Sequence, residues 1–220
     1  TVAREGCGRG TISSAIRGLS MAGWDGSGTN EIDYLSIASG GNSIDFGNLT
    51  DDRRSCCGNS SSTRGIIAGG YDDQSVANVD VIDYVEMSTV GNALDFGDLT
   101  RTERANSGGT NGVRAIFAGG RTPADENSIS FVTIATTGNA SDFGDLGDTA
   151  QVGAAVCNST RGVIAITYGG SPVGYNNTME FITMATTGNS IDFGDRIHTA
   201  TPQGGASSPI RGVFAGGYAS

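Results

Sequence analysis

Short apolar runs recur along this chain at regular intervals, separated by stretches of Gly, Asn, Asp, Ser and Thr. Residues 50–99 show the pattern in its clearest form. A small, polar segment from Arg53 to Ser62 is followed by the apolar run Arg64-Gly-Ile-Ile-Ala-Gly-Gly70. After a polar loop from Tyr71 to Asp80 comes Val81-Ile-Asp-Tyr-Val-Glu-Met-Ser88. The turn Thr89-Val-Gly-Asn92 then leads into Ala93-Leu-Asp-Phe-Gly-Asp-Leu99. These runs are too short and too rich in β-branched residues for helices, and Gly, Asn and Asp punctuate them as they do turns. The spacing predicts four short antiparallel strands, A, B, C and D, in each such stretch.

The whole pattern repeats about every 48 residues. The Asp-Phe-Gly of strand D places phenylalanines at 46, 96, 143 and 193, and strand B opens with Arg17, Arg64, Arg114, Arg161 and Arg211. This divides the chain into repeats 1–49, 50–99, 100–146 and 147–196 with a partial fifth at 197–220, all read as a single domain. A period of this length marks a supersecondary unit that buries its apolar surface only by stacking on copies of itself.

In strand C, an apolar column (Ile32, Ile82, Ile129, Met179) is followed by an aromatic one (Tyr34, Tyr84, Phe131, Phe181) and an aliphatic one (Leu35, Val85, Val132, Ile182). Adjacent strand residues point to opposite faces, so both faces are expected to be buried between neighbours. Strand A is nearly devoid of bulk, as in Ser55-Cys-Cys-Gly-Asn-Ser60 and Gly204-Gly-Ala-Ser207, which suits a crowded axis. The expected fold is an all-β propeller of four-stranded blades. Five copies of A–B with four of C–D favour five blades; four blades with a docked hairpin is the alternative.

Composition narrows the function. The chain has 36 glycines in 220 residues, a net charge of −10, and 13 basic residues that are all Arg. No basic cluster offers a footprint for nucleic acid or an anionic membrane, and no apolar stretch approaches the ~20 residues of a membrane span. The start Thr1-Val-Ala-Arg, without Met or a signal-like apolar region, and the half-finished last repeat suggest a processed product or a piece of a longer one. Cys7, Cys56, Cys57 and Cys157 are too few and too irregular for a disulfide scaffold. They read as small buried thiols, with a bridge from Cys7 to Cys56 or Cys57 as the alternative. A lone His198 and no Cys-x-x-Cys argue against zinc.

The order Arg104…Arg114-Ala-Ile-Phe-Ala-Gly-Gly120…Ile129-Ser-Phe-Val-Thr-Ile134…Asp142-Phe-Gly-Asp-Leu146 resembles the kelch repeat over essentially the whole chain. It departs in strand D, where Asp-Phe-Gly stands in place of the usual Trp. The variety Thr-Thr-Gly-Asn-Ala-x-Asp-Phe-Gly-Asp-Leu looks like kelch-like repeats of structural proteins in aquatic bacteriophages. That resemblance implies a virion component, such as a tail fibre, receptor-binding or decoration protein, located in the particle or, alternatively, secreted. Its partners would be other virion subunits or a host surface receptor or glycan, with a homo-oligomer possible and no cofactor.

The remaining candidates are weighed on chemistry. The Asp-Phe-Gly-Asp motif could offer oxygens to calcium, but it lacks an EF-hand ligand series and reads as an Asx turn. It also faintly resembles the structural Asp-box of sialidase propellers. The repeated Arg reads as a structural donor to carbonyls or Asp, the alternative being an anion-binding ring. No catalytic set can be assembled around His198. The variable B–C loops hold the residues that escape the repeat: Trp24, Tyr71, Arg121 and Tyr175 are the candidate binding residues, with Trp24 and Tyr71 suited to stacking on a sugar. A lectin-like module is therefore the alternative function, and an enzyme on the same scaffold a more remote one.

Overall fold

The structure, a computed structural model, describes residues 10–169, 174–199 and 204–217. It is all-β, with no helix among the described residues. The first repeat is β1 (Gly10–Ser13), β2 (Arg17–Met21), β3 (Thr29–Ser36) and β4 (Ile44–Arg53). The second is β5 (Cys57–Ser60), β6 (Arg64–Ala68), a loop hairpin β7 (Tyr71–Asp72) and β8 (Ala77–Asn78), then β9 (Val81–Glu86) and β10 (Leu94–Asp98). The third comprises β11 (Ser107–Thr110), β12 (Arg114–Ala118), β13 (Arg121–Thr122), β14 (Ala124–Thr133) and β15 (Ser141–Cys157). The fourth continues with β16 (Arg161–Gly169), β17 (Gly174–Tyr175), β18 (Thr178–Thr183) and β19 (Ile191–Asp195), and β20 (Gly204–Ser207) and β21 (Gly212–Ala215) form a last hairpin.

Each of the first two repeats is an antiparallel four-stranded meander in the order A-B-C-D. The third and fourth depart from the expected separation, because β15 serves as strand D of one and strand A of the next. It pairs with β14 through its first half and with β16 through its second, joining the two repeats in one nine-stranded sheet. Register shifts near Val152 let the strand bend between its two partners.

The chain divides into two compact units. The first holds residues 1–104 and the 133–140 turn, around a core that includes Leu19, Met21, Ile32, Phe46, Ile67 and Val85. The second holds residues 105–132 and 141–220, around Ile116, Ile129, Phe143, Leu146, Ile164 and Ile182. Within each unit, A strands of successive repeats lie face to face, which explains their lack of bulk. A methyl on Gly58 would come within 2.9 Å of Ile12, and one on Gly205 within 2.7 Å of Val156.

The recurring motifs are the two halves of one joint. In every complete repeat the Phe of strand D is the extra residue of a β-bulge: Asp95 pairs with Asp83 and Gly97 with Ile82, leaving Phe96 over. The same skip occurs at Phe46, Phe143 and Phe193. Asp95 Oδ1 accepts the Gly97 N–H at 3.0 Å and Asp192 Oδ1 that of Gly194, which closes the bulge as the Asx-turn reading expects. Gly97 has φ 141°, and a methyl there would lie 2.6 Å from the Gly138 carbonyl carbon. Glycine is required because the Gly-Asn turn of the following repeat sits on this spot. Gly138 N donates to Phe96 O at 2.7 Å, Ala140 N to Asp98 O at 2.7 Å, and Asp98 N to Asn139 Oδ1 at 3.2 Å. Equivalent bonds join Gly91 to Phe46 and Gly188 to Phe143.

The strand-B arginines complete the joint. Arg17, Arg64, Arg114 and Arg161 each stand over the strand-C aromatic of their own repeat, with Cζ 4.5–4.9 Å from the ring centroid. That ring in turn meets the strand-D Phe edge to face at 5.7–6.1 Å. The guanidinium then reaches a carbonyl of the following repeat: Arg17 to Met87, Arg64 to Ile134, Arg114 to Met184. The structural reading of these arginines holds at all three. The first unit adds a fully buried pair, Arg53 to Asp83 at 2.9 Å, with the Thr50 hydroxyl donating to the second Asp83 oxygen at 2.8 Å.

Candidate binding loops

The loops that leave the repeat pattern spring from the end of strand B, where Gly-Gly, or Ala22-Gly23 in the first repeat, turns the chain out of the sheet. Gly69 and Gly70 have φ of 64° and 120°, and a side chain on Gly70 would strike Cys56 Sγ at 2.6 Å. In the first unit this exit delivers the hairpin β7–β8, whose turn is tied by Asp72 accepting the N–H groups of Gln74 and Ser75. The preceding repeat delivers the loop from Trp24 to Gly28, closed by a β-bridge between those two residues.

Asp73 clasps the two loops together. Its Oδ2 accepts the Gly28 N–H at 2.7 Å and the Arg54 Nε at 2.9 Å, while Oδ1 takes Arg54 Nη2 at 2.9 Å. The bidentate Arg54 bond, then the Gly28 N–H and the cationic charge, hold the Asp73 carboxyl below the usual carboxylate range, outweighing desolvation. Arg54 is shifted up by the same bond. Arg54 and Arg104 both stand over the Tyr71 ring, at 4.8 and 4.7 Å from its centroid. Gln74 Nε2 reaches Asp52 at 2.8 Å, adding a second tie.

The sequence-predicted residues separate accordingly. Trp24 and Tyr71 lie on loops joined through Asp73, both half-buried. Tyr71 is not the open platform expected of it, since a ring already carrying two guanidinium groups is a poor surface for a sugar. In the second unit, exposed Arg121 turns its Nε to Pro123 O at 3.1 Å on β13. Tyr175, 38% exposed, pairs through β17 with β16 and meets Tyr168 edge to face at 5.5 Å.

Asp73 and Arg54 were not singled out from the sequence, and Arg104 was quoted only as the Arg before strand A of the kelch-like order. The available signal was that Arg54 and Arg104 occupy one column, eight residues after the Phe of strand D, with Gln151 third in it. Gln151 makes the corresponding tie in the second unit, donating to Asp125 at 3.0 Å.

Other candidates fall outside this arrangement. Cys56, Cys57 and Cys157 are free thiols; Cys56 and Cys57 are buried as the buried-thiol reading expects, Cys157 is only partly buried, and Cys7 lies outside the described residues. Burial pushes the Cys56 thiol up to about 11 and the Cys157 thiol to about 12. His198 is exposed. Among the described residues no group of three His, Cys, Asp or Glu is placed to hold a metal, and no helix is long and apolar enough to cross a membrane. Comparison with models of known protein families and with curated proteins returned no match.

Proposed function

We propose that this chain is a non-enzymatic attachment or assembly module that binds through the loops at the exit of strand B. The observation that carries the reading is the Asp73 clasp. It ties a loop from each of two repeats to Arg54, the residue after β4, so that an exposed surface is ordered before any partner arrives. Preorganised loops lose less entropy on binding, which is where a rigid repeat scaffold gains affinity. The kelch-like order of the strands and the face-to-face A strands support a propeller of five blades as the scaffold. The resemblance of the Gly-Asn and Asp-Phe-Gly-Asp motifs to phage repeats supports a place in a virion, with a host surface receptor or other virion subunits as partners.

The test is binding of the labelled chain to intact bacterial cells and to their purified surface polysaccharides. Asp73→Ala is expected to weaken binding about 10-fold while leaving global unfolding close to wild type, since the clasp lies outside both cores. Wild-type binding by Asp73→Ala, or no binding to any cell or subunit preparation, would overturn the proposal. Trp24→Ala separates protein contacts from sugar stacking, because Trp24 is the one loop aromatic of the first unit whose ring carries no guanidinium among the described contacts. A loss confined to polysaccharide would select the lectin-like alternative.

A further inference from the structure

Three joints between successive repeats are complete, and each pairs the bulge of one repeat with the Gly-Asn turn of the next. The fourth is half made. The β20–β21 hairpin of the fifth repeat sits against β15, with Ser207 Oγ donating to Cys157 O at 2.7 Å and Asn158 Nδ2 to Pro209 O at 2.9 Å. Beyond that hairpin nothing among the described residues continues the pattern. Phe193 is 47% exposed, where Phe46, Phe96 and Phe143 are 2–3% exposed. Among the described residues no heavy atom lies within 4 Å of a methyl built on Gly194, the position where the preceding bulges meet a Gly-Asn turn. Arg161 stacks on Phe181 but finds, among the described residues, no carbonyl acceptor of the kind Arg17, Arg64 and Arg114 have. Among the described residues β21 pairs with β20 alone, whereas the strand B of every other repeat also carries a strand C. An open groove of about 170 Å³ lies between Val156, Arg161, Phe193, Ile210 and Arg211.

We propose that this end of the second unit is an acceptor for the C–D half of a further copy of the repeat. The three finished joints specify the occupant. A strand C would pair along the free edge of β21, which is strand addition. Its Gly-Asn turn would donate to Phe193 O and cover Gly194. Arg17, Arg64 and Arg114 each reach a carbonyl just after strand C of the following repeat, so the acceptor for Arg161 would stand just after the strand C that docks here. A whole second copy stacked in the same way does not fit, because its own A and B strands would need the place that β20 and β21 hold against β15. The inference is independent of the attachment reading: a chain that binds no cell would still show it.

The experiment compares the 220-residue chain with one in which residues 121–146, the C–D half of the third repeat with its loop, are repeated after Gly217. Hydrogen exchange at Gly212–Ala215 and at Phe193–Asp195 is expected to slow at least ~10-fold in the extended chain. Arg161→Ala should remove part of that protection in the extended chain and change nothing at these amides in the shorter one. A synthetic peptide of residues 121–146, titrated onto the 220-residue chain, provides a second route and is expected to protect the same amides saturably. Unchanged exchange by both routes would overturn the proposal. So would prior protection of these amides in a 220-residue chain that runs as a dimer, which would make the occupant a second copy.

Discussion

Replacing Gly144 by Ala tests the joint between repeats more sharply than any core truncation, because Gly194 supplies an internal control. Both glycines follow the Phe of a strand-D bulge, with φ of 144° and 118°, and both belong to the second unit. An alanine at either pays for a positive φ, about 1–2 kcal/mol. At Gly144 the new methyl would also lie 2.5 Å from the carbonyl of Gly188, over 1 Å inside ordinary contact. The turn must retreat, and three bonds go with it: Gly188 N to Phe143 O at 2.7 Å, Ser190 N to Asp145 O at 2.9 Å, and Asp145 N to Asn189 Oδ1 at 3.1 Å. At about 1 kcal/mol each, partly recovered by water at this exposed edge, their loss adds about 2–3 kcal/mol. Gly194→Ala meets no neighbour among the described residues and carries the φ cost alone. Urea unfolding of the two variants should therefore differ by about 2–3 kcal/mol, Gly144→Ala being the less stable. Equal losses, within ~0.5 kcal/mol, would refute the claim that this glycine exists for the approach of the next repeat.

Arg114→Ala should cost about 2–4 kcal/mol in the same assay, since it removes a charged donor to Met184 O and a cation–π contact on Phe131. Arg161→Ala, which among the described residues removes the contact on Phe181 alone, should cost about 1 kcal/mol or less. The Asp73 carboxyl has a folded pKa depressed below its unfolded value of about 3.9, so its contribution is fully present above that pH and is lost as pH falls through the folded value. Trp24 fluorescence should report loosening of the two loops below about pH 4, and Asp73→Asn should flatten that transition. Cys56, held at about 11 by burial, should resist thiol reagents at pH 8 and react on denaturation; fast labelling of it in the native chain, read by peptide mass spectrometry, would contradict its burial.

Much of the fold was legible because the repeat writes it out several times. Strands A to D of residues 50–99 fall where the apolar runs predict them, and Arg64, Arg114 and Arg17 are the carbonyl donors their repetition suggested. The bulge at each Phe was less accessible. A glycine inside a strand signals one, but the Asp before it equally signals a turn, and here the Asp closes the bulge. The fusion of strands D and A into β15 was not legible at all, since no residue between Leu146 and Ala150 distinguishes a bend from a break.

By itself the sequence determined the strand inventory, its antiparallel order and the existence of a repeated interface, because period, strand length and turn residues are local properties that each copy states again. The tertiary structure alone decided what the motifs are for. The Gly-Asn of one repeat and the Phe-Gly of the one before lie over 40 residues apart, and only their docking shows them to be complementary halves. The same holds for Asp73, whose partners Gly28 and Arg54 come from other strands and loops. A carboxylate's role depends on which donors folding brings within hydrogen-bond distance, and neither period nor composition encodes that distance.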